Sequence, residues 1–318
     1  MAESSQIYPS LVEKVIVLTG STASGKSSVA IELAKLIDGE ILSLDSIAVY
    51  RDMDIGTAKP SQKEQVEVRH HLIDLVDPTE DFSVARYLAA AHEAVNDIKK
   101  RRKTPIFVGG TPMFLKGILR GFNSGPAADW NFRKSVEADL EMYGIEALMN
   151  RLRQVDPLAA NRIHRSDTRR IIRALEFAKI TGTPISHHQT QFERTRNASE
   201  CNVFSLAWPR PILHERINHR VDLMFQQGLH DEVKSLLDRY KQLSRTASQA
   251  VGYREIIEGF EQSHTREEMQ EHVAAHTRQL ARRQETWLRS FQEIQTIAMS
   301  EILNITQCAH YLKSLIQK

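Results

Sequence analysis

The 318-residue sequence has little cysteine, almost no net charge and no long apolar run, and each shortage excludes a class of protein. Cys201 and Cys308 are the only cysteines and neither belongs to a Cys-x-x-Cys pair, so neither a zinc ribbon nor a disulfide framework is expected. Such sparse use fits a reducing cytoplasm. Lys and Arg number 42 against 40 Asp and Glu, a net charge of +2, so only the distribution of charge can point to an acidic partner. No stretch approaches the ~18 apolar residues of a membrane span. The first apolar run, Val15 to Leu18, is too short for a signal-peptide core. What is present is an ordinary globular composition, 41% hydrophobic and 26% charged, in a chain long enough for two domains or for one core with a large insertion.

Short β-branched runs at 15–19, 40–46 and 104–110 read as buried strands. Residues 26–37 carry apolar side chains at Val29, Leu33, Leu36 and Ile37, which is helical spacing, and 85–101 reads as a second helix. Strands alternating with helices predict an α/β fold, a P-loop parallel sheet flanked by helices. From about 122 the pattern turns helical without a clear strand, and 202–208 returns as a strand ended by Pro209 and Pro211. The expected organisation is a first part of the core over 1–121, a mostly helical insertion domain over 122–200, and the rest of the core over 201–318, helical from His214 onward.

Between the first strand and its helix lies Gly20-Ser21-Thr22-Ala23-Ser24-Gly25-Lys26-Ser27, which fits G-x-x-x-x-G-K-[ST] in the strand–loop–helix context that the motif requires. Glycines let backbone N–H groups turn toward a phosphate, and the helix N-terminus adds partial positive charge. Lys26 would supply a point charge on the phosphates, and the Ser27 hydroxyl can ligate Mg²⁺. The third strand ends in Gly109-Gly110 rather than in the acid that many nucleoside triphosphatases use, with Asp74 as a weak substitute. Asp45 follows the second strand, on the side of the sheet where ligands bind, and is placed to act as a general base or to cap a turn. Thr111 follows the glycine pair and either touches substrate or caps a helix.

Charge is uneven. From Arg162 to Arg196, eight residues are basic (Arg162, Arg165, Arg169, Arg170, Arg173, Lys179, Arg194, Arg196) and three are acidic (Asp167, Glu176, Glu193), a local excess of +5. Arg278, Arg282 and Arg289 share a helix face, with Arg283 and Trp287 near it. Such clusters read either as solvated helix faces or as the footprint of nucleic-acid contact, and two of them in a chain of near-zero net charge favour the second. Of the 13 histidines, His272 and His276 have i, i+4 spacing, but Val273 follows His272 where a metalloprotease helix has Glu, so metal ligation by histidine is not expected.

The blocks 45–60 (DSIAVYRDMDIGTAKP), 70–74 (HHLID), 167–176 (DTRRIIRALE), 228–233 (GLHDEV), 251–255 (VGYRE) and 277–289 (TRQLARRQETWLR), with the phosphate loop, resemble the tRNA dimethylallyltransferase family, also called tRNA isopentenyltransferases. The resemblance implies transfer of a dimethylallyl group from dimethylallyl diphosphate to N6 of the adenosine at tRNA position 37, with release of pyrophosphate. It implies that Gly20 to Ser27 hold the diphosphate, with Mg²⁺ on Ser27, and that Asp45, Thr111, Arg220 and Lys26 form the catalytic set. Asp45, Ser46, Ile47, Ala48 and Thr111 would meet the target nucleotide. Arg133, Arg169, Arg170, Arg173, Gly252, Tyr253, Arg254, Arg282, Arg283, Gln284, Trp287 and Arg289 would meet the tRNA anticodon stem-loop, over which the insertion closes. A monomer with no membrane association is expected. Ser21 stands where proline is common, Ala48 where glutamine is, Met113-Phe114 where Leu-Tyr is, and Glu285 where an apolar residue is. The rival readings are an adenylate isopentenyltransferase, which needs no long basic C-terminal helix, a P-loop small-molecule kinase, and a non-catalytic RNA-binding module.

Overall fold

The computed structural model describes residues 6–188, 195–302 and 304–316, so Glu193 and Arg194 of the basic segment lie outside the described residues. The chain forms two compact units, Ser10–Leu119 with Thr195–Lys318, and Met1–Pro9 with Arg120–Arg194.

The larger unit is built on a six-stranded parallel sheet. In chain order the strands are β2 (Ile16–Gly20), β3 (Gly39–Ser43), β4 (His70–His71), β5 (Thr104–Val108), β7 (Val203–Ala207) and β8 (Gln295–Ala298); β1 (Ile7–Tyr8) and β6 (Phe122–Asn123) belong to the other unit. The sheet order is β4-β3-β5-β2-β7-β8. Leu18 pairs with Val108 on one side and Phe204 on the other, so β2 is central and its C-terminal end has a strand end on each flank. Strands buried on both faces read as continuous apolar runs, which is why β2, β3, β5 and β7 are legible from the sequence.

β4 and β8 are not. Only Ile297 of β8 is buried, and four residues with one apolar anchor carry no period, so the segment after His214 reads as helix throughout. That expectation is corrected: β8 pairs in parallel with β7, Leu206 opposite Ile297. The helix Lys26–Ile37 buries Val29, Ala30, Leu33 and Ala34, and Cys308, Ala309 and Leu312 of the helix Ile305–Leu315 belong to the same core. Val29 and Leu33, fully buried, each contribute about 2 kcal/mol. Cys201 and Cys308 are both free and buried. Among the described residues no helix is long and apolar enough to cross a membrane.

A second core in this unit lies where Val49, Tyr50 and Met53 meet Phe225, Val233, Tyr253, Ile256 and Val273, residues of the helices Arg210–Gln226, Leu229–Tyr240, Tyr253–Gln262 and Arg266–Leu288. It gathers residues of the sequence blocks 45–60, 228–233 and 251–255 in one place. One carboxylate, Glu232, accepts the N–H groups of Asp54 (3.1 Å), Ile55 (2.7 Å) and Gly56 (3.3 Å) and the hydroxyl of Tyr253 (2.7 Å). Gly56 is obligatory, because a Cβ there would lie 2.5 Å from the Tyr253 ring. The buried ammonium of Lys59 donates to Asp54 at 2.7 Å and to Asp74 at 2.6 Å. Asp74 is therefore committed to Lys59 and does not replace the missing strand-end acid.

The smaller unit is mostly helical, but it is not free of strands: β1 pairs antiparallel with β6, Tyr8 opposite Phe122. Its helices include Trp130–Val155, interrupted at Gly144 (φ 74°), and Thr168–Thr181. Phe132, Val136, Leu152, Ile171 and Leu175 form its apolar core. Beside that core, Glu176 is fully buried. It receives Arg133 through two bonds of 2.8 and 2.9 Å, the Asp129 N–H at 2.8 Å, and Arg173. Arg173 also donates to the Pro126 carbonyl at 2.9 Å. Burial pushes the Glu176 carboxyl up, but Arg133, Arg173 and the Asp129 amide outweigh it and hold the group below its ordinary range.

Glu176→Ala leaves two guanidinium groups without their carboxylate and is expected to cost about 3 kcal/mol, read as a lower urea midpoint. Because the folded carboxyl lies below its unfolded value, the contribution is complete above about pH 4.5 and is lost as pH falls through the folded value. An unchanged midpoint, or one that does not converge with wild type in acid, would show that the cluster adds nothing.

Candidate active site

The ligand-binding side of a parallel sheet is the C-terminal end of its strands, and the expected residues gather there within the larger unit. Three turns meet: Gly20–Gly25 after β2, Leu44–Ala48 after β3, and Gly109–Thr111 after β5. They approach so closely that side chains are excluded. A Cβ on Gly109 would lie 2.2 Å from the Leu44 carbonyl oxygen, and one on Gly110 would lie 2.9 Å from that of Gly20. The glycines that end β5 thus leave no room for an acid.

The phosphate loop is fixed from both sides. Gly25 holds φ of 92°, where glycine is at home, immediately before the helix Lys26–Ile37. Trp208 donates its indole N–H to the Ser24 carbonyl at 2.9 Å, and Arg216 donates to the Ala23 carbonyl at 2.8 Å while lying over the Trp208 ring. Gln284, from the helix Arg266–Leu288, accepts the Thr22 N–H at 2.9 Å. Trp208, Arg216 and Gln284 were not expected to support this loop. Nothing in local spacing could reveal them, since their loop partners lie 184, 193 and 262 positions away.

A cavity of about 430 Å³ opens over these turns, lined by Thr22, Lys26, Ser27, Asp45, Thr111 and Arg220. Ile31, Ile47, Ile73 and Val108 give it an apolar wall. Lys26 donates to the Ser21 carbonyl at 3.2 Å. Burial pushes its ammonium down to about 8, the Arg220 charge adds to the fall, and Asp45 opposes it. Burial also pushes the Arg220 guanidinium down, again against Asp45. Arg220 has no hydrogen-bond partner among the described residues. Two cations that raise one another's energy, one unpaired, make a site that calls for an anion of more than one charge.

Asp45 turns one oxygen to the protein and leaves the other. Its Oδ1 accepts the N–H groups of Ile47 at 2.8 Å and Ala48 at 3.3 Å, the turn-capping role, while Oδ2 has no partner among the described residues. Both expected roles of this residue are therefore compatible. The Thr111 hydroxyl accepts the Ser46 N–H at 3.0 Å and lies 3.4 Å from the Ser46 hydroxyl, so it ties the β5 turn to the β3 turn.

The residues expected at RNA divide. Arg282 and Arg289 are exposed, Trp287 is 38% exposed, and Arg283 reaches the cavity. Gln284 does not face outward; it serves the phosphate loop. Tyr253 is fully buried, lines the cavity and has its hydroxyl on Glu232. Gly252 donates its N–H to Glu255 at 2.6 Å, and Arg254 donates to the same carboxylate at 2.6 Å. In the smaller unit Arg169 and Arg170 are exposed, with Arg170 paired to Asp167 at 3.2 Å, whereas Arg133 and Arg173 are committed to Glu176.

The chain is similar to known proteins over most of its length. The family model described as IPP transferase matches residues 48–291. The chain is 54% identical to the tRNA dimethylallyltransferase of Rhodopirellula baltica over 98% of its own length and 96% of the relative's. It is 40% identical to tRNA dimethylallyltransferase 1 of Trichlorobacter lovleyi over 91% and 94%. Among solved structures it is similar to the tRNA isopentenylpyrophosphate transferase of Bacillus halodurans, with a TM-score of 0.68, 36% identity and coverage of 95% and 96%. It is also similar to a eukaryotic dimethylallyltransferase acting on tRNA, with a TM-score of 0.73, 29% identity and coverage of 89% and 73%.

An anion bound beside Lys26 raises its pKa again, so pyrophosphate binding between about pH 8 and 10 is expected to take up protons. Calorimetric titration in buffers of different ionisation heat checks this against Lys26→Arg, which keeps the charge but does not titrate there. Equal buffer dependence in the two proteins would mean that Lys26 is already fully charged in the free enzyme.

Proposed function

The chain belongs to the IPP transferase family and transfers a dimethylallyl group to a tRNA adenosine; we propose that the donor is dimethylallyl diphosphate, seated with its diphosphate in the loop Gly20–Ser27, and that the acceptor is N6 of the adenosine at position 37, beside the anticodon. The observation that carries the reading is the set of charges lining one cavity: Lys26 with Arg220, which has no hydrogen-bond partner among the described residues, and Asp45, whose Oδ2 has none either. The apolar wall of Ile31, Ile47, Ile73 and Val108 suits a five-carbon chain.

In this reading N6 attacks the first carbon of the allyl group as its bond to the diphosphate oxygen breaks. Asp45 accepts the N6 proton at Oδ2, and its Oδ1, held by two backbone amides, keeps the carboxylate oriented. Lys26 and Arg220 take up the charge that develops on the departing pyrophosphate. Thr111 holds the turn that carries Asp45 at a fixed spacing from the glycine pair. The adenine leaves its stack to reach the cavity. No hydrolytic water is needed, which is consistent with a strand end that has no room for an acid.

Mg²⁺ fits the donors present. The Ser27 hydroxyl is exposed at the mouth of the loop, and among the described residues no group of three His, Cys, Asp or Glu forms a ready cage. That donor set suits a hard ion carried on substrate phosphates, with Ser27 as its protein ligand. The ion would neutralise charge on the leaving group. The exposed arginines Arg282 and Arg289, with Trp287, offer phosphate and stacking contacts to the anticodon stem-loop. The enzyme acts where that tRNA is, in the cytoplasm.

The deciding experiment offers labelled dimethylallyl diphosphate and Mg²⁺ with unmodified tRNA or with AMP, while ATP hydrolysis is followed. Label in tRNA alone is expected. Label in AMP would indicate an adenylate prenyltransferase, and ATP turnover without label a kinase. Asp45→Asn keeps the Oδ1 acceptor and removes the base, so the transfer rate should fall about 10²–10⁴-fold with tRNA affinity nearly unchanged. A normal rate in that variant would remove Asp45 from the proton transfer. Arg282→Ala and Arg289→Ala should each weaken tRNA binding and lower the slope of log affinity against log salt by about one; an unaltered slope would mean that this helix meets solvent only.

A further inference from the structure

The helix Arg266–Leu288 presents Arg282 outward, and two residues later its Gln284 reaches the phosphate loop. The Gln284 amide is used at both ends. Its oxygen accepts the Thr22 N–H at 2.9 Å, and its nitrogen donates to the Gly110 carbonyl at 3.0 Å. Turned over, it would set oxygen against oxygen and N–H against N–H, so its orientation is determined. The chain leaves room for it: a Cβ on Gly110 would lie 2.7 Å from the Gln284 nitrogen.

What Gln284 joins is significant. Thr22 belongs to the loop that leads to Lys26 and Ser27. Gly110 precedes Thr111, whose hydroxyl holds the turn of Asp45. Arg283, the adjacent residue, lines the same cavity. One uncharged side chain thus bridges the anion-binding loop and the turn next to the carboxylate, and it sits on the helix that offers basic side chains to solvent.

We infer that Gln284 is a positioning residue that sets the phosphate loop in register with the Asp45–Thr111 turns and thereby couples diphosphate binding to RNA binding. The inference rests on the reading of this cavity as the site of dimethylallyl transfer to tRNA. RNA that engages the arginines of the helix also seats Gln284, and Gln284 holds the loop at the spacing that transfer needs. Coupling of this kind is reciprocal, so a bound diphosphate tightens RNA binding by the same factor.

The test compares wild type with Gln284→Met, which keeps the length of the side chain and removes the amide. Affinity for tRNA is measured with and without inorganic pyrophosphate and Mg²⁺. In wild type pyrophosphate is expected to tighten tRNA binding about fivefold or more, and in Gln284→Met to leave it unchanged. In steady state the variant should lose about tenfold in kcat, and its KM for tRNA at saturating dimethylallyl diphosphate should rise by about the lost coupling factor, fivefold or more. Gln284→Glu keeps the acceptor for Thr22 but sets a carboxylate against the Gly110 carbonyl, and it should not restore kcat. A measurement on wild type alone covers the case of a variant that does not fold: tRNA added without diphosphate should slow amide exchange in residues 20–27. Equal kcat and equal coupling in the two proteins, or loop exchange indifferent to tRNA, overturns the inference. Wild type that labels no tRNA overturns the functional reading instead, and the two failures are distinct.

Discussion

The close approach of three strand-end turns governs the site. Gly109 and Gly110 run so near the carbonyls of Leu44 and Gly20 that no side chain fits between them. That proximity brings Asp45 and Thr111 to the phosphate loop, and it also removes the place where an acid would stand. The presence of Asp45 and Thr111 beside that loop and the absence of a strand-end acid have the same cause. A nearby acid would add negative charge next to a diphosphate and help to activate water, and the packing prevents both.

The electrostatics follow from that geometry. Lys26 and Arg220 are enclosed together, each destabilised by burial, with Asp45 as their counter-charge. A polyanion satisfies the cations better than one carboxylate does, and once it binds, Asp45 is relieved of that role, as the proposed proton transfer requires. The cavity keeps its charges imperfectly matched without substrate, and the fold bears the cost elsewhere. Trp208 and Arg216 brace the loop carbonyls, and Glu232 gathers three consecutive amides of the Asp54–Gly56 turn.

How much of this was legible in the sequence depends on range. The phosphate loop, β2 and its helix are local patterns, and they stand where the sequence put them. Asp45 was legible because it directly follows a strand. Glu232 and Gln284 were visible as members of recurring blocks, but their partners were not, because Gln284 meets a residue 262 positions away. Charge was the weakest guide. The same basic segment contains Arg169, exposed, and Arg173, committed to buried Glu176, and no count of arginines separates the two. β8 escaped because a four-residue strand with one buried side chain has no period to detect.

The order of the sheet also has a consequence for how the molecule comes into being. The strand that leads into the phosphate loop is flanked on one side by β7, with Leu18 against Phe204, and β7 in turn by β8 near the end of the chain. Trp208, Arg216 and Gln284 are likewise translated long after the loop they brace. During synthesis, the first hundred or so residues emerge with a central strand exposed along one edge and an anion-binding loop lacking its braces, and such long-range pairings close slowly. The cavity is therefore among the last parts of the protein to form: a truncated chain carries the phosphate-loop motif without the residues that enclose it, and an unpaired strand edge stays exposed to aggregation until they are made.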